Sequence, residues 1–471
     1  MKRHSISPAT LTQLRLSRRQ FLWLSVLASL PACAPLSTPS GDRAAPVTQA
    51  SVLIIGAGIA GLAAGRKLQA AGVPVQLLEA RERAGGRVWT DTSLGTPFDL
   101  GASWIHGVEQ NPITALVKAY GLNTVVTDDD ATVIYGLDGR ELGHKQYQRL
   151  WQLGEQFDAD LAALQEQAED DAVLRDGIER LLRRYRLNAE DTRLLNWYIS
   201  YAIEISMAAG RAELSLAWFD NEEEFDGPEH TFPHGYGGIV QGLAQGLAIR
   251  YGQVVNQISY DAQGVTVGTH AGQSYRAERV IVTLPLGVLQ AGSVTFEPPL
   301  PAARRQAQQR LAMGTLNKLA LVFPRRFWDA ELHLISHLND QPAETIEWWI
   351  LQQPVRPALT GLVAGSYARQ LEQQPLEQVV ATLTAPLRQA YPRMPEPEAA
   401  LYTRWSSDPF ARGSYSHIPP GAHPRDYQAL AQPVAGRLFF AGEATFATYT
   451  STVHGAFISG ERAADEVLAE A

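Results

Sequence analysis

The chain has 471 residues, of which 45% are hydrophobic and 19% are charged, with 39 glycines and 28 prolines. These are the proportions of an ordinary globular protein, and they exclude collagen, coiled coil and intrinsic disorder as the main architecture. The formal net charge of −9 argues against a nucleic-acid-binding protein, which usually carries a basic face. A single cysteine, Cys33, excludes an intramolecular disulfide and a cysteine-based zinc site.

The first 33 residues have the composition of an export signal. They contain five basic residues and no acid, and without them the net charge falls to −14. Their apolar stretch, Phe21 to Leu30, is shorter than the ~20 residues that a membrane span needs. Arg18 and Arg19 lie in the pattern SRRQFL, a twin-arginine motif that predicts export of an already folded protein.

Two processing sites are consistent with this signal. Ala32-Cys33-Ala34 has the small-x-small pattern of a cleavage site, whereas LPAC at residues 30–33 resembles a bacterial lipobox in which Cys33 would carry lipid. The proline makes the lipobox imperfect, but the only cysteine lies there. Residues 34–49, rich in Pro, Ser, Thr and Ala, are predicted to be a linker. We expect a periplasmic protein, or one tethered to the membrane and facing the periplasm.

A nucleotide-binding motif follows the linker. The apolar run Val52 to Ile55 predicts a buried strand, and GAGIAG at 56–61 leads into a predicted helix from Leu62 to Ala71. A second predicted strand, Val75 to Glu79, ends in an acid that can bind ribose hydroxyls. The glycines allow close approach of a pyrophosphate to a helix start. This motif alone does not distinguish NAD from FAD. Its candidate cofactor ligands are Gly56, Gly58, Ala60, Gly61 and Glu79.

Two further glycine-containing segments follow. RERAGGR at residues 81–87 can wrap a pyrophosphate, with Arg87 as a cation. GASWIHG at residues 101–107 combines small residues with a large aromatic, as a close backbone approach to a flat ring requires. The candidate cofactor ligands in these segments are Arg81, Gly86, Arg87, Gly101, Ala102, Ser103 and Trp104.

The middle of the chain is predicted to mix helices with strands. Residues 141–225 show helical periodicity and one apolar face. Val254 to Tyr260 and Val265 to Val267 predict a hairpin, and Val280 to Pro285 predicts a buried strand. Further short strands are predicted at Leu319 to Phe323 and Gly361 to Tyr367. The residues of the helical apolar face are Leu150, Leu153, Phe157, Leu161 and Leu164.

The C-terminal segment predicts a strand and a helix. The strand, Arg437 to Ala441, ends at Gly442-Glu443, and TVHGAF at residues 452–457 opens a helix that runs to about Leu468. A helix start is a place where the anionic edge of a flavin would be stabilised. Taken alone, the segment is equally consistent with an ordinary closing strand and helix of a sheet.

In combination, these motifs resemble the flavin-containing amine oxidases, and in detail the polyamine oxidases and the related histone demethylase branch. The resemblance includes Asn317-Lys318 before an apolar strand, WSSDPF at residues 405–410 and GSYS at residues 413–416. It covers about residues 50–470. It identifies an exported bacterial member of the family as the expectation.

The resemblance implies an α/β fold of two domains, an FAD-dependent amine oxidase fold with a Rossmann-like FAD domain and an α+β substrate domain. The FAD domain would be discontinuous, at 50–110, 232–300 and 401–471. The substrate domain, with a helical cap, would comprise 111–231 and 301–400. The FAD would be non-covalent, because the only thiol lies in the export signal.

The implied reaction is oxidation of a C–N bond in a polyamine or another primary or secondary amine. The imine hydrolyses, and O2 reoxidises the flavin to give H2O2. An L-amino-acid oxidase or related flavin desaturase is the alternative, and it would need an arginine such as Arg412 or Arg211 for the carboxylate. A flavoprotein that binds a partner without turnover is a third interpretation. No metal and no nucleic acid is expected.

The resemblance also implies roles for single residues. Lys318 would hold a water near flavin N5, Tyr415 would form one wall of an aromatic cage, and His106 would lie near the amine. Thr452 stands where a second aromatic is expected, so Tyr449 is predicted to substitute. Glu204 and the acids at 222–226 would bind distal ammonium groups; the alternatives are a surface lysine, a core tyrosine, a structural histidine and a solvated acidic face. The remaining candidate cofactor ligands are Val255, Trp405, Gly442, Glu443, Thr452, Val453 and Ala456.

Overall fold

The structure is a computed structural model, and it describes residues 48–128 and 130–470. The predicted export signal, with its arginine pair and Cys33, lies outside the described residues, as does most of the predicted linker. Within the described ranges, none of the helices combines the length and the apolar character that a membrane span requires.

Helices occur in all parts of the described chain. A π-helix, Ser200–Ile205, continues α5 directly, and 3-10 turns occur at Pro342–Glu344 and Glu443–Thr445. The α-helices are α1 (Ile59–Ala70), α2 (Pro112–Ala119), α3 (His144–Gln165), α4 (Leu174–Tyr185), α5 (Ala189–Ile199), α6 (Gly237–Ala244), α7 (Leu286–Gln290), α8 (Ala302–Arg310), α9 (Gly365–Leu371), α10 (Leu376–Ala390), α11 (Arg425–Ala431) and α12 (Val453–Ala469).

The strands form two large sheets and three small ones. They are β1 (Thr48–Ile55), β2 (Val75–Leu78), β3 (Thr90–Asp91), β4 (Phe98–Asp99), β5 (Trp104–Ile105), β6 (Val125–Val126), β7 (Thr132–Tyr135), β8 (His230–Thr231), β9 (Ile249–Arg250), β10 (Val255–Asp261), β11 (Gly264–Thr269), β12 (Ser274–Val282), β13 (Thr295–Glu297), β14 (Ala312–Met313), β15 (Leu316–Val322), β16 (Leu334–His337), β17 (Glu347–Ile350), β18 (Ala358–Ala364), β19 (Ala399–Tyr402), β20 (Ser416–His417) and β21 (Leu438–Phe440).

The larger sheet has eight strands in the order β13-β10-β11-β12-β1-β2-β9, and β21 pairs with β12 beyond the end of β11. β1 is parallel to both β12 and β2, and its run Val52 to Ile55 is fully buried, as its apolar sequence predicts. The three predicted segments of the FAD domain all contribute strands. The domain boundaries themselves remain a prediction.

Helices α1 and α12 pack closely on this sheet. A Cβ atom on Gly460 of α12 would lie 2.1 Å from the carbonyl oxygen of Ala60 in α1, so only glycine allows this approach. Val52 and Ile54 face the core beneath these helices, whereas Leu53 and Ile55 face a second core against β10 to β12. The packing brings the C-terminal helix beside the first glycine turn.

The second sheet has six strands in the order β19-β15-β18-β17-β16-β7. β15 is a central strand, paired with β18 on one side and β19 on the other, and it carries Lys318 opposite Leu362. Its apolar residues Leu319 to Val322 are fully buried. This strand therefore holds Lys318 on rigid backbone.

The helical segment α3 to α5 forms its own core. Leu150, Leu153, Phe157 and Leu161 are buried there, as the periodicity predicts, and Leu164 is partly buried. Two predicted boundaries differ. α1 begins at Ile59 rather than Leu62 because the glycine motif forms its first turn, and the strand predicted to reach Tyr367 ends at Ala364 because Gly365 has a φ of +59° and starts α9.

Candidate active site

A cavity of about 800 Å³ lies among the glycine motifs, β15 and the start of α12. Seventeen of the nineteen predicted cofactor ligands would be a mere coincidence of spacing if these segments did not meet; in fact all of them except Gly61 line the cavity. Lys318, Tyr415 and His106 line it too. Segments that are up to 350 residues apart in sequence therefore share one site, as the combined motifs predict.

The first glycine turn shows three different reasons for glycine. Gly56 has a φ of +102°, and a Cβ atom there would lie 2.5 Å from Thr283 Oγ1. A Cβ atom on Gly61 would lie 2.1 Å from the carbonyl oxygen of Gly56, so Gly61 serves helix–strand packing and does not line the cavity. Gly58 has an ordinary φ of −74°, and a Cβ atom there would meet nothing within 4 Å. Packing does not require glycine at 58.

Glu79 is buried beside this turn. Its Oε2 accepts the N–H of Ala57 at 2.8 Å, and its Oε1 accepts the N–H of Arg81 at 2.9 Å. Because a carboxylate has about four acceptor positions, each oxygen can accept one more hydrogen bond. Glu79 therefore shapes the loop and still presents acceptors to the cavity.

The two arginines of the second motif both have carboxylate partners. Arg81 forms two hydrogen bonds with Asp408, at 2.7 and 2.9 Å. Arg87 donates to Glu443 Oε1 at 2.8 Å and to the carbonyl oxygen of Ser414 at 3.0 Å. These ion pairs tie the N-terminal loop to the C-terminal segments and offset part of the charge predicted for a pyrophosphate.

The start of α12 lies at the cavity. Thr452 is its N-cap: its Oγ1 accepts the N–H of Gly455 at 2.9 Å and donates to the carbonyl oxygen of Tyr449 at 2.8 Å. The hydroxyl predicted to take part in chemistry therefore serves the helix. Val453 and Ala456 also line the cavity, so the site faces the positive end of the helix dipole.

These features fit the FAD that the sequence resemblance implies. Open space at Gly58 lies beside the uncapped N-terminus of α1, which suits a pyrophosphate. Acceptors of Glu79 lie beside it for a ribose, and Gly101 and Ala102 line the same cavity near Trp405. Trp405 is buried, with its indole N–H on the carbonyl oxygen of Leu100 at 3.1 Å.

Lys318 is buried, which excludes the alternative of a surface lysine. Its ammonium donates to the carbonyl oxygens of Asp99 at 3.0 Å and Gly101 at 2.6 Å, and to the hydroxyl of Ser103. An ammonium has three donors, so a water held by Lys318 would replace one of these bonds. Its Nζ also lies 5.3 Å from the ring centroid of Trp104.

Asp99 is a site residue that the sequence analysis missed. Its carboxylate accepts the N–H of Tyr236 at 2.9 Å and the hydroxyl of Thr90. Burial lowers the pKa of Lys318 and raises the pKa of Asp99, and the attraction between the two charges opposes both shifts. An acid directly before the GASWIHG segment was the available signal.

Tyr415 presents its ring to the cavity and is half-buried. Its hydroxyl donates to the carbonyl oxygen of Ser206 at 2.8 Å and lies 3.3 Å from that of Ile205. Burial raises the pKa of Tyr415, with a further contribution from the charges of Glu222 and Glu347, so the phenol stays neutral.

The opposite side of the cavity has two tryptophans and an acid that were also missed, apart from Trp104. The Trp104 and Trp349 rings meet edge to face with centroids 5.1 Å apart. Trp349 Nε1 donates to Glu347 Oε2 at 2.9 Å, and Glu347 is buried in the cavity wall. An acid within the apolar strand EWWI was a signal for this site.

His106 and a second histidine lie at the cavity. His106 Nδ1 lies 2.7 Å from Glu229 Oε2, and about half of the His106 side chain is exposed. His454 also lines the cavity, and burial, with a smaller contribution from the charge of His106, lowers the pKa of His454 to about 3. His454 is therefore neutral near pH 7.

Two predicted substrate contacts are wrong in position. Glu204 is bound by Arg211 in a buried ion pair and does not line the cavity. Tyr449 stacks on Phe225, with centroids 4.6 Å apart, and does not line the cavity either. Sequence position alone did not show that neighbouring side chains already occupy both groups.

The acid run lies partly in the cavity wall. Glu222, Glu223 and Glu224 line it, whereas Asp226 does not. Glu222 is half-buried, and burial, with the nearby charges of Asp220 and Glu224, raises the pKa of Glu222 to about 7. Glu223 and Glu224 are exposed, as a solvated face would be. In the described ranges, no cluster of three or more His, Cys, Asp or Glu side chains suits a metal ion.

Comparison with known proteins extends these observations. Residues 59–468 match the family described as flavin containing amine oxidoreductase. Polyamine oxidase 4 from Oryza sativa subsp. japonica is 36% identical over 431 residues, covering 88% of this chain and 88% of that protein.

Longer relatives and solved structures also match. Lysine-specific histone demethylase 1 homolog 2 from Oryza sativa subsp. japonica is 36% identical over 471 residues, and the match covers 96% of this chain but 61% of that protein. The chain thus spans little more than half the length of these relatives. A redesigned putrescine oxidase has a TM-score of 0.75 at 22% identity, covering 90% of this chain and 100% of that one, which shows the shared fold.

Proposed function

We propose that this chain, which belongs to the family of flavin-containing amine oxidoreductases, oxidises a polyamine or another primary or secondary amine with FAD as its cofactor. The observation that carries the proposal is the single cavity in which buried Lys318 and the Tyr415 ring lie with the nucleotide motifs. Reoxidation by O2 would give H2O2.

The protein's part is to hold the cofactor and orient the amine. Gly58 and the start of α1 would receive the pyrophosphate, Glu79 a ribose, and the start of α12 the anionic edge of the ring system. FAD, when bound, accepts two electrons and a hydrogen from the carbon next to nitrogen. Lys318 would supply a fixed positive charge, and a water, beside that reaction.

The amine would be bound among rings and acids. Tyr415, Trp104 and Trp349 provide aromatic walls that exclude water and attract a cation. His106 has Nδ1 engaged by Glu229, which leaves Nε2 as the nitrogen to take the amine proton. Glu222 and Glu347 can pair with a distal ammonium group, which favours substrates that carry more than one nitrogen.

Anaerobic bleaching of the flavin tests this function. Spermidine, putrescine, a monoamine and an amino acid are added in turn to the oxidised protein, and the loss of flavin absorbance is followed. We expect bleaching by at least one of the polyamines. Bleaching by the amino acid alone would transfer support to the alternative, although Arg211 is held by Glu204 and only Arg412 of the two candidate arginines lines the cavity. Bleaching by none would refute the proposal.

Binding of a cation should depend on Glu222. Its raised pKa makes Glu222 neutral below about pH 7, so binding of a permanently charged quaternary ammonium inhibitor should weaken as pH falls from 8 to 6. The loss should be about 2- to 5-fold, the range of partly exposed ion pairs. The inhibition constant measures it, because the inhibitor's own charge does not titrate. Glu222→Gln should bind weakly and with a flat profile, whereas Glu223→Gln, on the exposed neighbour, should retain the pH dependence.

The flavin is expected to be non-covalent. The only cysteine is Cys33, far in sequence from the cofactor motifs, so a cysteinyl bond to FAD has no thiol within them. Acid precipitation should release the yellow colour to the supernatant. A pellet that stays yellow after washing would show a covalent link, for example through a histidine.

Export is proposed to follow cofactor loading. FAD is made in the cytoplasm, and its ligands come from segments that meet only after folding, which suits the twin-arginine route. Replacing Arg18 and Arg19 by Lys should leave a yellow enzyme in the cytoplasm, as measured by cell fractionation. Unchanged periplasmic or membrane activity would contradict both the periplasmic location and a tether at Cys33.

A further inference from the structure

The π-helix forms one wall of the cavity. Tyr201, Ala202 and Ile205 line the cavity, as do Ser206 and Met207 directly after it. A π-helix is rare and is found mostly at functional sites. Its last carbonyl groups are not all consumed within the helix: that of Ser206 accepts the hydroxyl of Tyr415 at 2.8 Å. The π-helix thus holds the Tyr415 ring from behind.

A buried ion pair holds the same helix from its other side. Glu204 and Arg211 have side chains only 10% and 15% exposed. Arg211 donates to Glu204 Oε1 from both its backbone N–H and its Nε, at 3.0 Å each, and from Nη2 to Oε2 at 2.9 Å. Ser200 at the start of the π-helix donates to Oε2 at 2.7 Å, so one carboxylate joins both ends of the segment.

The pair has further partners that fix its position. Arg211 Nη1 donates to Asn196 Oδ1 in α5 at 3.1 Å. Burial alone would raise the pKa of Glu204, but the hydrogen bonds and charge of Arg211 lower it overall, so the carboxylate stays ionised. Leaving either partner alone would strand a buried charge, which makes the pair an all-or-none support.

We infer that Glu204 and Arg211 are positioning residues, whose ion pair fixes the π-helix and, through the carbonyl oxygens of Ile205 and Ser206, the orientation of the Tyr415 ring at the substrate. Glu204 adjoins Ile205 in the chain, so a shift of the carboxylate moves the very carbonyl groups that bind the Tyr415 hydroxyl. This inference rests on the proposed amine oxidase function. Neither residue touches the amine.

A double-mutant cycle tests the inference. Glu204→Gln, Tyr415→Phe and the double variant are compared in anaerobic flavin reduction, with the amine dissociation constant and the limiting rate measured separately. Each single variant should weaken amine binding at least about threefold, and the double variant should lose less than the product of the two, because both remove one support. Independent effects of the two changes would overturn the inference. Arg211→Lys, which keeps the charge and loses the paired geometry, should resemble Glu204→Gln.

Asp191→Asn is the matched control. It removes a carboxylate in α5 whose partner is Arg149, at 2.7 Å, away from the cavity lining. It should leave amine binding unchanged even if the melting temperature falls. A loss of amine binding in Asp191→Asn equal to that in Glu204→Gln would reduce the pair to a general stabiliser and overturn its positioning role.

Hydrogen exchange provides a readout that does not depend on turnover. Amides of residues 200–209 should exchange faster in Glu204→Gln and in Tyr415→Phe than in the unaltered protein or in Asp191→Asn. Should no amine bleach the unaltered protein, the proposed function fails, and this measurement still decides the structural linkage. Unchanged exchange in both variants would overturn the inference by itself.

Discussion

Replacing Lys318 by Met is expected to slow flavin reduction or its reoxidation by about 10²–10³-fold, the usual effect of removing a fixed charge or donor from a site that excludes water. Lys318 is buried, and its ammonium is held by the carbonyl oxygens of Asp99 and Gly101 and by Ser103. A positive charge so fixed needs no reorganisation when electrons arrive. Stopped-flow bleaching with the best amine, followed by recolouring with oxygen, measures the two half-reactions.

The same change should also lower stability. Met matches the length of Lys but donates nothing, so the two carbonyl oxygens lose a partner at about 1–3 kcal/mol for each acceptor left unsatisfied. The buried carboxylate of Asp99 loses the nearest cation as well. We therefore expect a lower melting temperature together with retained FAD, because Lys318 is not among the groups proposed to hold the nucleotide.

Lys118→Met is the control for this experiment, since Lys118 is exposed on α2 and does not line the cavity. It should change stability by no more than about 0.5 kcal/mol and the rates not at all. Equal rates for Lys318→Met and the unaltered protein in both half-reactions would refute the role of Lys318 and weaken the placement of the reaction between it and Tyr415.

The nucleotide side of the site could be predicted because its signals are local. The turn, α1 and Glu79 follow one another within 24 residues, and their spacing has a direct geometric meaning. The C-terminal segment was harder. Only its combination with the other motifs suggested that it meets them, and the close packing of Gly460 on Ala60 shows how it does.

The substrate side was predicted less well because it depends on partners distant in sequence or hidden by local geometry. Glu204 has the composition of an ammonium ligand, but the π-helix turns it toward Arg211, and periodicity at 3.6 residues does not reveal that turn. The acceptors of Lys318 lie more than 200 residues before it in the chain. Trp349 and Glu347 come from a strand whose pairing, not its sequence, places them beside Trp104.

Replacing Gly58 by Val should remove FAD from a protein that remains folded. A Cβ atom on Gly58 meets nothing within 4 Å, and its φ of −74° suits any residue, so the apo protein has little reason to prefer glycine. The expected cost is that of a poorer helix N-cap, on the order of 1 kcal/mol. The side chain would instead enter the cavity at the start of α1, where a pyrophosphate must approach the backbone.

Loss of hydrogen bonds from backbone N–H groups to a charged phosphate costs about 1.5–3 kcal/mol for each bond. Two such bonds correspond to a weakening of FAD binding by about 100-fold or more, since each 1.4 kcal/mol is a factor of ten. Titration of apo protein with FAD, followed by quenching of flavin fluorescence, measures the dissociation constant, and thermal unfolding of the apo protein measures stability.

Gly61→Ala separates this explanation from simple damage to the turn. Its methyl group would lie 2.1 Å from the carbonyl oxygen of Gly56, so α1 must move away from β1 and the apo protein should lose about 1–3 kcal/mol of stability. Gly58→Val should therefore differ from Gly61→Ala in stability while both bind FAD weakly. If Gly58→Val binds FAD normally, the pyrophosphate does not approach this turn. If it unfolds as Gly61→Ala does, then the glycine at 58 serves the fold, and the open space beside it is not the reason for its presence.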